Sequence, residues 1–312
     1  MDKKDFHRST EMRNDGAMSN NNEMKLFPLV LKAVQALEAC CDKGDGLKTN
    51  YPIASSEVYN ETWMLRMTLA FLHDYSEDFK CVNTETAEVL TSMRELVRRR
   101  WISEGGLHPV FEREGPTWTD AIIGDVVAGK EIGGKKHKRD VDIKMQGNDY
   151  AGIAVIEAKI GSAPDKAVTH SDDYNQVARN IACLAQLVMN QEPKLLEDKY
   201  SCSFILLGPG EKCKSWKGSE NYKQLITGSW DIIKRQTPDR KAKVDDMSED
   251  GMFKKIVAKI VEHSDVISWR TMIEAMKPEN GNDELNHFYS ELNRFHTDVI
   301  KENSRKGKQG VV

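Results

Sequence analysis

Apolar residues along this chain alternate between helical and extended spacing. From 25 to 101 the period is that of a helix. The stretch KLFPLVLKAVQALEACCD (25–42) sets Leu31, Val34, Leu37 and Cys41 on one face. A second helix is expected over 57–75, with Val58, Leu65, Leu69 and Leu72 as its stripe, and a third over 84–101. The pattern then becomes extended. Residues 106–134 are Gly-rich and hold a β-like run at Asp120–Ala128. GKEIGGKKHKR reads as a turn from that run into a strand RDVDIKM (139–145), and GIAVIEAKI (152–160) reads as the next strand. Helical spacing returns over 172–190, where Tyr174, Val177, Ala178, Ile181, Leu184, Ala185 and Val188 recur near i, i+3, i+4, i+7. SCSFILL (201–207) is a strand closed by Gly-Pro-Gly, and the remainder is expected to be helical over 250–264, 268–277 and 283–302. Residues 1–24 are polar and Asn-rich without periodicity, and are expected to be a disordered tail.

The predicted order is helices, then β–β–β–α–β, then helices. It implies an α/β protein with one domain over 25–312, its core at about 57–207 and a helical part at 208–312. Composition agrees with a soluble globular chain: 312 residues, 39% hydrophobic and 30% charged. No apolar run approaches the roughly 20 residues that a membrane-spanning helix needs. The first residues lack the apolar core of a secretion signal. Cys40, Cys41, Cys81, Cys183, Cys202 and Cys213 form no CxxC pair, so reduced thiols and a cytoplasmic setting are expected. A net charge of −4 excludes a uniformly basic nucleic-acid coat; any such contact must use a local patch.

The candidate chemistry lies in RDVDIKMQGNDYAGIAVIEAKI (139–160). Alternation along a strand puts Glu157 and Lys159 on one face and Ala158 on the other. Charges at the end of an apolar strand are costly to desolvate without partners, and a divalent cation would supply one. Asp142 stands 15 residues before Glu157, enough for a tight turn between neighbouring strands that would bring the two carboxylates together. The plainer alternative is an exposed Glu–Lys pair at a strand end.

An acid on one strand, then an apolar strand ending in Glu-x-Lys, resembles the signature of the PD-(D/E)xK nuclease superfamily, with Val141 standing where the family name has proline. The resemblance covers about 57–207 and implies a restriction-endonuclease-like core, a mixed central sheet flanked by helices, with extra N- and C-terminal helices. It implies a Mg²⁺-dependent endonuclease, with Mn²⁺ able to substitute. Asp142, Glu157 and the Ala158 carbonyl would hold the metal, and Lys159 would orient the attacking water. Glu61 is the candidate for an additional acid from the helix before the sheet, with Glu88 and Glu95 as rivals. Gln176 is expected to face the site from the following helix. Arg179 and Asn180, beside it, are candidates for phosphate contacts. So is the basic cluster Lys135, Lys136, Lys138 and Arg139 at the hairpin turn; a solvated polar face is the alternative for both groups. Duplex DNA is the expected substrate, in restriction or defence, and a homodimer is expected because two strands call for two sites. The alternatives are an RNA-directed or DNA-repair nuclease of the same fold, or a non-catalytic nucleic-acid-binding protein on the scaffold.

Overall fold

The computed structural model describes residues 61–75, 87–131, 139–143, 152–160, 174–190, 200–209, 219–244, 246–277 and, in short helical pieces, parts of 286–297. The tail expected over 1–24, the helix expected over 25–42, and Lys135, Lys136 and Lys138 lie outside these residues.

The fold is mixed α/β. Helices α1 (Glu61–Tyr75) and α2 (Ala87–Arg99) precede six strands: β1 (Trp101–Ser103), β2 (Gly106–Leu107), β3 (Thr117–Trp118), β4 (Ala121–Gly124), β5 (Val126–Glu131) and β6 (Arg139–Ile143). Then come β7 (Gly152–Ala158), α3 (Gln176–Met189) and β8 (Ser201–Gly208). The chain continues through α4 (Ser219–Thr227), α5 (Ser229–Arg235), α6 (Met252–Glu262), β9 (Asp265–Ser268) and α7 (Trp269–Ala275).

The strands form two sheets. The main one runs β1-β4-β7-β8-β9 and the smaller one β3-β2-β6-β5. In the main sheet β4 is antiparallel to β1 and β7, while β7, β8 and β9 are parallel. β7 is the middle strand and every residue in it is buried. Its pleat sends Ala154, Ile156 and Ala158 into one hydrophobic layer with α1, α2 and α7. Ile153 and Val155 enter a second layer with α3 and α6. A strand covered on both faces reads as a continuous apolar run, and GIAVI does so. Helix α3 is buried nearly all round, because α5 and α6 cover the side turned away from the sheet. Asn180 and Gln186 are buried in it too, so no solvated polar face runs opposite its apolar one.

The helices expected over 250–264 and 268–277 are present as α6 and α7, and the C-terminal third adds a strand between them. Its strand β9 extends the main sheet, and the Phe253, Ile256, Val257 and Ile260 stripe of α6 enters the layer over α3. These residues complete the core rather than capping it.

The Asp120–Ala128 run is not one strand. It breaks at Asp125, leaving β4 in the main sheet and β5 in the small one. Gly124 and Gly152 both lie at the break with φ +112° and +142°, in the region that glycine alone occupies readily. A Cβ on Gly124 would stand 2.1 Å from the Gly152 carbonyl oxygen. The Asp125 side chain is fully buried and accepts from Arg99 Nη1 at 2.9 Å and from the Gly152 amide at 3.2 Å. Arg99 thus ties the end of α2 to the break, beyond any role in the helix dipole.

Two outcomes are expected. Gly124→Ala should cost at least about 1–3 kcal/mol of stability in urea unfolding, as the price of a strained backbone. Arg99→Ala, which strands a buried carboxylate, should cost about 3–5 kcal/mol. Burial pushes the Cys183 thiol up to about 11 and the Cys202 thiol up to about 12. In the native protein at pH 8 both should resist alkylation, read residue by residue by mass spectrometry, and react only after unfolding.

Candidate functional site

Glu157 and Lys159 do share one face, on the α3 side of β7. Both are almost wholly buried, with side chains 2% and 8% exposed. They form an ion pair, Lys159 Nζ donating to Glu157 Oε1. The second Glu157 oxygen accepts from Asn180 Nδ2 at 2.9 Å. Asn180 is oriented by its place one turn into α3, whose start is fixed by the Asn175 side chain accepting from the Ala178 amide at 2.9 Å. The Lys159 backbone is held from two sides: its amide donates to the Leu207 carbonyl at 2.8 Å and its carbonyl accepts from Trp269 Nε1 at 3.1 Å. Trp269 stacks near His296, which bonds Thr68 of α1 at 2.9 Å. The end of β7 is therefore secured by residues from both ends of the described chain.

Asp142 is not the acid that joins this pair. Its strand β6 neighbours β2 and β5 in the small sheet, not β7. Val141 and Ile143 point into the core, so the pleat turns Asp142 outward, where it is exposed opposite Val127. Asp140 and Asp142 flank Gly129 there, and Asp140 pairs with His108 at 3.1 Å.

The acid brought to Glu157 is Asp120, which the sequence reading passed over. The register Ala121↔Ile156 extended by one position puts Asp120 opposite Glu157. Its Oδ2 accepts from the Ala158 amide at 2.7 Å. The amide and carbonyl of one strand residue point to the same side, so the Ala158 carbonyl faces Asp120 as well. The signal in the sequence was the mirror of the Glu-Ala-Lys ending: Thr119–Asp120 leads directly into the apolar Ala121–Ile123.

Arg66 of α1 closes the other side of Asp120. Its Nε donates to Ser103 Oγ at 2.8 Å, and Nη2 lies 3.5 Å from Glu104. Burial pulls the Arg66 pKa down, an effect opposed by the Glu104 and Asp120 carboxylates. The Asp120 carbonyl is fixed by the Glu104 amide at 3.2 Å and Ser103 Oγ at 3.3 Å.

Of the remaining expected residues, Gln176 opens α3 half-buried, and Arg179 Nη2 donates to the Gly115 carbonyl at 2.7 Å. Glu61 opens α1, Glu88 lies in the first turn of α2 and Arg139 begins β6, but their side chains lie outside the described residues.

Among the described residues no group of three or more His, Cys, Asp or Glu is arranged to hold a metal. The site offers a different donor set: the carboxylates of Asp120 and Glu157 and the Ala158 carbonyl. These are hard oxygen donors of the kind Mg²⁺ takes, one or two carboxylates with water completing the shell. Asn180 Oδ1 is buried with no hydrogen-bond partner, an acceptor left over at the edge of this set. The residues therefore fit a small divalent cation.

Comparison with family models, curated proteins and solved structures finds no match for the chain.

The pair itself is open to test by stability. Lys159→Met should cost about 3–5 kcal/mol, because it removes the cation that faces the buried Glu157 carboxylate. The double variant Glu157→Leu, Lys159→Met should recover most of that loss in denaturant unfolding, since replacing both partners removes the uncompensated charge.

Proposed function

We propose that the protein is a metal-dependent nuclease of the PD-(D/E)xK kind, acting on duplex DNA, with Asp120, Glu157 and Lys159 as its signature residues. The observation that carries the reading is the convergence of an acid and a Glu-x-Lys from neighbouring antiparallel strands, Asp120 Oδ2 lying 2.7 Å from the Ala158 amide. The strand order supports it: β1, β4 and β7 antiparallel, then α3 and a parallel β8, is an order such a core would have.

Asp120, Glu157 and the Ala158 carbonyl would hold Mg²⁺. When bound, the cation acidifies water and offsets charge that develops on the phosphate. Asn180 fixes the orientation of the Glu157 carboxylate by donating to Oε2. The Lys159 ammonium would orient the attacking water and stabilise the phosphate oxygens as charge grows there. Arg66, between Ser103, Glu104 and Asp120, keeps positive charge behind the Asp120 carboxylate.

The burial of Glu157 and Lys159, each satisfied by a protein partner, favours a second reading: a non-catalytic nucleic-acid-binding protein in which the pair serves structure.

The deciding experiment is cleavage of supercoiled plasmid, linear duplex, single-stranded DNA and RNA in Mg²⁺ or Mn²⁺. The nuclease reading expects metal-dependent cutting that falls at least ~10²-fold in Asp120→Ala, Glu157→Ala and Lys159→Ala. Asp142→Ala, on the exposed ribbon, should cut like wild type. Full activity in Asp120→Ala would remove the site assignment. A wild type that binds duplex but cuts none of the substrates would leave the non-catalytic reading.

A further inference from the structure

The chain is acidic overall, at −4, yet one part of its described surface is rich in positive charge. Residues 110–112 and 241–243 run antiparallel and are joined at Phe111↔Ala242. The Glu112 amide donates to the Lys241 carbonyl at 2.9 Å, and the Lys243 amide to the Val110 carbonyl at 2.7 Å. This junction gathers Arg113, Lys241 and Lys243, all exposed, beside the half-buried Arg179 and Arg240. Three acids stand among these five cations: Glu112, paired with Lys241 at 2.7 Å; Glu114, paired with Arg240; and Asp239, next to Arg240 in sequence. Positive charge still predominates.

The ridge is rigid where it meets the core. Arg240 lies over the Tyr174 ring, 5.9 Å from its centroid, and its partner Glu114 is largely buried. Burial raises the Glu114 pKa even though Arg179, Arg240 and Lys243 oppose the shift. Two further polar atoms in this cluster, Arg179 Nε and the Tyr174 hydroxyl, are buried without a hydrogen-bond partner.

Its position relative to the Glu157 site follows from the chain. Arg179 precedes Asn180, the residue that donates to Glu157. The loop that Arg179 grips, at Gly115, leads through β3 directly to Asp120. The ridge and the acids are thus joined through the same short segments, Arg179 and Asn180 standing ~1.5 Å apart along the axis of α3.

We propose that this ridge, carried by Arg113, Lys241 and Lys243 and anchored by Arg179 and Arg240, is the surface that receives the phosphate backbone of duplex DNA as it crosses the Asp120–Glu157 site. The inference rests on the nuclease reading and names where that substrate is gripped. A local cation cluster on an acidic protein draws a polyanion to one place and repels it elsewhere. Each phosphate neutralised releases condensed counterions, so the contact has a signature in salt dependence.

The test is binding of a fluorescein-labelled duplex by anisotropy across a salt series, in Ca²⁺ instead of Mg²⁺, using the full chain. Arg113→Gln, Lys241→Gln and Lys243→Gln are combined in one variant; all three side chains are exposed, and circular dichroism checks its fold. The slope of log affinity against log salt should flatten by roughly 2–3 relative to wild type, at about 0.9 per lost phosphate contact. Affinity should fall at least ~10-fold at moderate salt. Lys234→Gln with Lys254→Gln, two exposed lysines held by Glu249 and not by the ridge's acids, should change neither quantity. A triple variant with wild-type affinity and slope, in a protein that does cut DNA, overturns the ridge and leaves the nuclease reading standing. Displacement of the duplex by poly-glutamate of equal charge concentration would make the ridge a site for acidic protein and overturn the proposal. A wild type that neither binds nor cuts nucleic acid removes the reading and the ridge together.

Discussion

Two opposite charges placed two residues apart on a buried strand impose most of the local order in this protein. The pleat puts Glu157 and Lys159 on one face, and the helices over that face keep water away. Each ion loses several kcal/mol of hydration in such a place. The loss is tolerable only if each charge finds its partner and the remaining atoms find hydrogen bonds. Lys159 meets Glu157, Asn180 from α3 takes the second carboxylate oxygen, and Trp269 and Leu207 hold the Lys159 backbone. Helix α3 must therefore lie with Asn180 inward, and α7 must reach back to the end of β7. The C-terminal third is bound to the site by this need as well as by its apolar surface.

A second constraint acts through backbone geometry. A Cβ on Gly124 would strike the Gly152 carbonyl and one on Gly152 would strike the Ser201 carbonyl, so no side chain fits at either, and Asp125 is held there by Arg99 and the Gly152 amide. The chain leaves the main sheet at this point, and β5 and β6 join the smaller sheet. Residues before the break stay beside β7, while those after it are carried away. Asp120 is on the near side and Asp142 on the far side. The same break that ends β4 thus decides which carboxylate can meet Glu157.

The two features together give the site its character. It is a buried group of oxygen donors and one ammonium at the end of the central strand, with Arg66 on the α1 side and Asn180 on the α3 side. Surface charge near the start of α3 continues outward from it, through loops that the core holds in fixed positions. Chemistry and attraction of a polyanion would then be divided between a buried centre and an exposed margin.

Much of this architecture could be read from the chain alone, because burial leaves a periodic record. The apolar run into Glu157, the face shared by Glu157 and Lys159, the stripe of α3 and the strand at β8 follow from local spacing, and the structure has them. Elements whose partners lie far along the chain were not legible in the same way. β9 is only four residues long and fills the gap between two expected helices, where nothing local marks a strand until β8 is beside it. Asn180 reads as a solvated polar residue until α6 and the sheet cover both sides of α3. Asp142 fits the expected spacing, but spacing carries no information about which strands pair. That choice was made in three dimensions, by two glycines, a buried Arg–Asp pair and the register of β4 on β7. Sequence alone determined that an acid and a Glu-x-Lys would be available at strand ends; tertiary structure decided that the acid is Asp120, because pairing of distant strands depends on packing and backbone fit that no local pattern records.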